Sequence, residues 1–372
     1  MGFIDNNISL YRSGRPASSA THDTNGNSPR LYTALAPRVV ETGTEATRLE
    51  AHDGRTIIRA GSGDDDIRVI YHADGTASVF VNGEEHELTA AQAENFEVDG
   101  GDGNDDIKVE LANSDGKTGL TLTGGNGNDT INGANGSETI NGGAGNDTID
   151  ARGGNDKVFA GDGNDTVSGG SGNDEVYGGR GDDTIKTGSG KDTVYGGDGN
   201  DAINTGTGDD TVFGGTGNDD IYSGEGNDTV HGEAGNDIIK TGLGNDTING
   251  GWGNDDIDAG DGNNSIKGGR GDDKIRAGDG NDTIYGGRGH DDIDAGDGNN
   301  VVHGGRGNDR IVTGDGVDYI QGNRGRDHIQ AGGGDDEIHG GKHKDYIDTG
   351  EGDDTVGRTR NGWFRSRDTV VQ

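Results

Sequence analysis

The sequence predicts an all-β solenoid, a rod of stacked coils faced by two short-stranded parallel sheets. Three observations carry that prediction. From Gly124 to Val356 an aliphatic residue recurs at every ninth position, running from Ile131, Ile140 and Ile149 to Ile347 and Val356, and each of the 26 markers is Ile or Val. Two residues before the marker stands Asp in 23 of the 26 units, the exceptions being Glu138, Asn264 and Asn300. Four residues before it stands Gly in all but one, the exception being His343. A period of this length and fidelity is the signature of a repeat architecture.

Composition sets a condition on that fold. The 372 residues are 26% hydrophobic, include 79 Gly and carry a formal charge of −38. Such chains are ordinarily disordered, because one buried aliphatic side chain per nine residues offsets little of the entropy of ordering. With 69 acidic residues repelling one another, something cationic is expected in the folded state. There is no Cys, which excludes disulfides and thiolate metal sites. Met1 to Leu10 lacks a charged leader and an apolar run, so no cleavable signal peptide is expected. No apolar stretch is long enough to span a membrane. The acidity argues against nucleic acid and anionic membranes and for multivalent cations.

Taken in order, residues 1–47 hold all three prolines (Pro16, Pro29, Pro37) without sustained periodicity and are expected to be a disordered leader or arm, an export or docking signal being the alternative. Residues 48–123 are expected to cap the first coil. They contain two isolated copies of the repeat, ending at Ile67 and Ile107. Between these, Ile67–Tyr71 and Ala77–Val81 read as a hairpin around Ala73-Asp74-Gly75, and Leu88–Asn95 as a short helix with Thr89 as N-cap. The array occupies 124–356, and 357–372 reads as a C-terminal cap with Trp363, Phe364, Val370 and Val371.

Within the array the true period is 18. The pair that begins seven residues before each marker alternates between Gly178-Gly179 and Thr187-Gly188, then Gly196-Gly197 and Thr205-Gly206. Two half-turns of unlike environment therefore make one coil. Around each marker about three residues alternate out-in-out as a strand, and the Gly-rich six turn the chain back. Thirteen coils stacked at about 4.8 Å give a rod of roughly 60 Å.

Stacking places each Asp beside the Asp 18 residues away. One column contains Asp147, Asp165, Asp183, Asp201, Asp219, Asp237, Asp255, Asp273, Asp291 and Asp309, with Asp105 and Asp129 ahead of it. The other contains Asp156, Asp174, Asp192, Asp210, Asp228, Asp246, Asp282, Asp318, Asp336 and Asp354. Carboxylates that close repel unless a cation lies between them. Carboxylate oxygens with glycine carbonyls form a flexible all-oxygen cage, which suits Ca2+ better than Mg2+ or Zn2+.

The nonapeptide Gly142-Gly143-Ala144-Gly145-Asn146-Asp147-Thr148-Ile149-Asp150 resembles the GGxGxDxUx unit of repeats-in-toxin (RTX) proteins, the hemolysin-type calcium-binding repeat. The resemblance implies a right-handed parallel β-roll with calcium between successive turns. It further implies a secreted protein that folds on meeting calcium outside the cell. As ligands it implies the Asp with the residue before it, as in Asn146-Asp147, Asn164-Asp165, Asn173-Asp174, Asn227-Asp228 and Asn281-Asp282. Lys191, His290, Val317, Arg326 and Lys344 depart from that pattern and put their own sites in doubt, whereas Asn264 and Asn300 keep an oxygen and are expected to leave weaker sites.

Other features bear on partners. Arg270, Arg288, Arg306, Arg324 and Lys342 stand 18 apart in one row, opposite an acidic row of Asp261, Asp279, Asp297 and Asp315. Either the cations replace missing calcium or neutralise nearby carboxylates, or they dock a polyanion such as an acidic polysaccharide. Tyr177, Tyr195, Phe213 and His231 share one outer column that could meet sugar rings, although exposed strands carry aromatics in any case. Arg180-Gly181-Asp182 and Arg270-Gly271-Asp272 fall on the repeat's own slots and carry no separate meaning. No HExxH, GxSxG or P-loop occurs, so no enzyme is expected, with 48–123 as the one place to hide one. The expectation is an extracellular, monomeric calcium-binding repeat protein with a structural or binding role, exported by a type I or type III route. The alternatives are a polysaccharide-binding module of the kind attached to alginate epimerases, or an effector injected into host cells.

Overall fold

A computed structural model describes residues 48–52, 55–94, 96–111, 119–357 and 369–371. The expected arm (1–47), Asn95 and the aromatic pair Trp363 and Phe364 lie outside them. Among the described residues, apart from one four-residue helix, the regular structure is all strand. Through the array each strand pairs in parallel with the strand 18 residues on. Ile140, Val158 and Val176 are consecutive partners in one sheet, and Ile149, Val167 and Ile185 in the other. The markers point between the sheets, and from Ile131 to Ile347 none is more than 2% exposed. The architecture is the expected parallel solenoid with two sheets.

The sheets differ in strand length. One has six-residue strands, such as Thr193–Asp198 and Thr211–Thr216, which continue into the turn. The other has mostly three-residue strands, such as Ala202–Asn204 and Asp220–Tyr222, the only kind the sequence anticipates. Rings in one outer column report the rise directly. Phe159, Tyr177, Tyr195, Phe213 and His231 stack with centroids 4.7 to 5.0 Å apart, the spacing of adjacent strands.

The isolated repeats near the N-terminus are themselves coils of the roll. Ile58 aligns with Val98, and Val98 with Leu122, in one sheet. Ile67, Ile107 and Ile131 align in the other. Insertions between these coils hide the period without breaking the stack. The hairpin forms as expected, Asp66–Tyr71 antiparallel to Ala77–Val81. Two further strands were not legible. Arg48–His52 covers Arg55–Arg59, and Glu84–Leu88 covers Ala77–Val81, both antiparallel. EEHEL is largely exposed, so it lacks the alternation that would reveal a strand. Antiparallel strands thus lie over the starting edges of both parallel ladders, and the second carries Glu84, Glu85 and Glu87, charges of the kind that discourage edge pairing. The helix is Ala90–Ala93, shorter than expected because Leu88 belongs to the preceding strand, and the Gln92 side chain accepts the Thr89 N–H at 3.1 Å.

At the other end Thr369–Val371 lies parallel on Tyr346–Asp348, with Val370 opposite Ile347. No helix among the described residues is long and apolar enough to cross a membrane.

Candidate metal centre

One turn shows how the sequence builds a site. In Gly142-Gly143-Ala144-Gly145-Asn146-Asp147, Gly143 and Gly145 have φ of +119° and +131°, a region costly for side chains. A Cβ on them would lie 2.0 and 1.8 Å from the Gly125 and Gly127 carbonyl oxygens of the coil before. Glycine therefore lets successive turns approach backbone to backbone. It also brings Asn146 and Asp147 to the corner with opposite tasks.

The Asn146 N–H points to the coil before and donates to Asn128 Oδ1 at 2.7 Å. The Asp147 N–H points to the coil after and donates to Asp165 Oδ1 at 2.7 Å. Repeated along the roll, these bonds make an exposed outer ladder and a buried inner one. In the inner ladder each Asp Oδ1 accepts one backbone N–H and is thereby satisfied. The second oxygen is not. From Asp105 to Asp336, 22 buried aspartates have an Oδ2 that accepts no hydrogen bond. The neighbouring atoms are acceptors as well. A Cβ on Gly142 would lie 2.5 Å from Asp147 Oδ2 and 2.4 Å from the Ala160 carbonyl oxygen.

An array of buried anionic oxygens facing main-chain carbonyls needs positive charge. Burial accordingly raises the carboxyls, Asp147 to about 6 and Asp183, Asp219 and Asp273 to about 7, each partly offset by the backbone N–H it accepts. Among the described residues no three His, Asp or Glu side chains converge, so a cation here would rely on carbonyls beside the carboxylate. Such an oxygen-only set fits calcium and offers zinc no nitrogen or sulfur.

The predicted aspartates occupy the inner ladders. Asp105, Asp129, Asp147, Asp165, Asp183, Asp201, Asp219, Asp237, Asp255, Asp273, Asp291 and Asp309 line the first edge, all at most 2% exposed. Asp156, Asp174, Asp192, Asp210, Asp228, Asp246, Asp282, Asp318 and Asp336 line the second. Asp354 at the open end is half-buried and accepts the Asp336 N–H at 3.1 Å. Asn146, Asn164, Asn173, Asn227 and Asn281 instead stand in the exposed outer ladder, each Oδ1 accepting a backbone N–H from the next coil.

That division puts the departures in the outer ladder. Behind Lys191, His290, Val317, Arg326 and Lys344, the aspartates Asp192, Asp291, Asp318, Asp327 and Asp345 stay buried in the inner ladder. His290 even keeps the outer ladder going, its Nδ1 accepting the Asn308 N–H at 2.7 Å. The candidate ligands read from the sequence leave out Asp327 and Asp345, behind Arg326 and Lys344, while keeping Asp192, Asp291 and Asp318. They also leave out Asp65, which starts the first edge by donating its N–H to Asp105 Oδ1 at 2.8 Å. The unbroken nine-residue spacing was the signal for Asp327 and Asp345.

The edges have different linings. Five residues before the Asp, the first edge has Gly at nearly every coil. The second edge has Thr187, Thr205, Ser223 and Thr241, all fully buried, whose hydroxyls lie beside Asp192, Asp210, Asp228 and Asp246 and donate to main-chain carbonyls of the next coil. Asn264 and Asn300 are buried there too, but the expectation of a weaker site meets an obstacle. Each Oδ1 is taken by a backbone N–H, and each Nδ2 points into the cage.

The fold and the paired carboxylate ladders define the class, a parallel β-solenoid whose turns are built to hold cations. The RTX calcium-binding nonapeptide repeat (4 copies) matches in overlapping blocks from 121–149 to 321–356, more than half of the chain. The chain belongs to that family and is a calcium-binding β-roll protein. A comparison with curated proteins finds no match.

Proposed function

We propose that this is a secreted protein whose roll folds when it meets calcium, acting as a structural or binding rod without catalysis. The observation that carries the reading is the set of 22 buried Oδ2 atoms without a hydrogen-bond partner. Asp105 and Asp129 through Asp345 on one edge, and Asp156 through Asp354 on the other, are the carboxylates assigned to the turns, with main-chain carbonyls as the remaining ligands. Asn146 and its equivalents hold the turn in shape from outside. Far-ultraviolet circular dichroism of the full chain tests this. A strong β spectrum should appear with calcium and vanish in chelator at neutral pH, and an unchanged spectrum in chelator would sink the proposal.

A second observation favours a binding role. Arg180 pairs with Asp162 at 3.3 Å in its column of the long-stranded sheet. Further along that column Arg288, Arg306, Arg324 and Lys342 are exposed, and no carboxylate among the described residues lies within 4.0 Å of them. Direct ion pairs among the described residues therefore do not account for the row. Arg270 lies over the exposed Trp252 ring at 4.9 Å, beside an open groove of about 440 Å³ lined also by Lys267 and Arg288. Cations spaced by one strand, led by an aromatic ring, suit an extended polyanion such as an acidic polysaccharide. The stacked column of Phe159 to His231 suits it less, since each ring face is covered by the next. On a glycan array, Arg288→Glu with Arg306→Glu should abolish binding to acidic glycans, and retained binding would leave the rod reading alone.

A further inference from the structure

We propose that Asn264 and Asn300 are cation-free closures built into the second edge, where a side-chain amide does what a cation does at an aspartate. This rests on the calcium reading of the neighbouring turns and assigns two turns within it the opposite state.

Both residues keep the inner ladder intact. Asn264 Oδ1 accepts the Asp246 N–H at 2.9 Å, and the Asn264 N–H reaches Asp282 Oδ1 at 2.7 Å. Asn300 Oδ1 accepts the Asp282 N–H at 2.9 Å, and its own N–H reaches Asp318 Oδ1 at 2.7 Å. They are 2% and 1% exposed, no different from the aspartates. The second atom of the side chain makes the difference.

Asn264 Nδ2 donates to the carbonyls of Gly260 at 3.1 Å, of Gly262 at 3.5 Å and of Ala277 in the next coil at 3.1 Å. Asn300 Nδ2 donates to Gly296 at 3.2 Å and Gly298 at 3.3 Å. These are the acceptors that an aspartate Oδ2 confronts with no proton to offer. The amide orientation is fixed by its surroundings. A flipped amide would set Nδ2 against a backbone N–H and Oδ1 against carbonyl oxygens, two repulsive contacts at once. With the amide protons turned inward, the carbonyls are satisfied, the anionic ligand is missing, and a cation would meet the positive end of the amide dipole.

The start of the roll also uses an amide, but in the place of the ladder N–H. Among the described residues no coil precedes Asp65 to supply an N–H, and its Oδ1 instead accepts from the Asn82 amide while its Oδ2 accepts the Gly61 N–H at 3.1 Å. An amide from an inserted hairpin closes the first turn. Asn264 and Asn300 stand mid-roll, 36 residues apart on either side of Asp282, and there the amide faces main-chain carbonyls instead. The calcium column of the second edge is thereby broken into segments, whereas that of the first edge is continuous.

Calcium bound per chain, measured by elemental analysis after equilibration and desalting of the full-length protein, tests this. Asn264→Asp with Asn300→Asp should gain one ion per substitution and need more calcium to reach half-maximal β signal. An unchanged ion count and an unchanged calcium midpoint would overturn the proposal, because the asparagines would then already hold cations. Should that variant fail to fold, Asp228→Asn gives the converse reading. It should lose one ion and keep its β spectrum in calcium, and retention of the full count would overturn the proposal equally. A wild-type chain with no bound calcium would overturn the reading of the whole roll, a result distinct from either variant outcome.

Discussion

The two edges of the roll start from the same nonapeptide and solve the same electrostatic problem differently. On the first edge, Asp occupies every turn from Asp105 to Asp345, and Gly faces it almost throughout. On the second, Glu138 opens the column, buried Thr and Ser hydroxyls line part of it, and Asn264 and Asn300 interrupt it. Burial raises Glu138 to about 8, and its Oε2 reaches back to accept the Ala134 N–H at 3.2 Å. The backbone ladder is indifferent to these changes, since Asp Oδ1 and Asn Oδ1 accept the same N–H. The lesson is that shape comes from one atom of the side chain and cation demand from the other.

The largest effect that separates these roles is pH. Burial holds the folded aspartates above the ordinary value of 3.8, at about 6 for Asp147 and Asp255 and about 7 for Asp183 and Asp273. Without a cation, a proton on Oδ2 favours the folded form. That contribution is fully present below about pH 4 and lost as pH rises through 6 to 7. A calcium-stripped chain should therefore show β structure at about pH 4 and lose it by about pH 8, where added calcium restores it. Circular dichroism across that range that never changes would show that Oδ2 carries no such demand.

A smaller effect should distinguish the edges. Asp219→Ala and Asp228→Ala each leave a buried N–H without its acceptor, those of Asp201 and Asp210. The expected loss is about 1–3 kcal/mol in denaturant unfolding with calcium present. We expect the first-edge change to cost more, because the Ser223 hydroxyl remains beside the vacated second-edge position. Equal losses would mean that the hydroxyl lining is inert.

The smallest effect belongs to the outer ladder. Asn245→Ala removes the acceptor of the Asn263 N–H, which is exposed and turns to water. The expected change is within about 0.5 kcal/mol, in keeping with Lys191 and Val317, which already stand in that ladder without a carbonyl side chain. A loss as large as that of Asp219→Ala would move the asparagines into the site itself.

Much of this was legible. The nine-residue marker and the alternating 18-residue pairs place Asp147 above Asp165 and Tyr177 above Tyr195 on spacing alone. A covalent period stacked in parallel converts sequence distance directly into position. Where insertions interrupt the count, as between Ile67 and Val98, the register was hidden, and the coils that carry Ile58 and Val98 read as separate capping elements. The exposed strand Glu84–Leu88 carried no pattern to find.

The sequence by itself thus determined the coil, the two sheets, the buried Ile and Val and the columns of aspartate, because each follows from spacing alone. The tertiary structure decided what each polar atom does. The N–H groups of Asn146 and Asp147 point in opposite directions along the roll, which assigns Asn to the outer ladder and Asp to the inner one. That same geometry fixes Oδ1 of Asn264 on a backbone N–H and leaves only its Nδ2 to face the carbonyls. Spacing cannot reveal this, since an amide and a carboxylate of equal shape differ only in which atoms surround them.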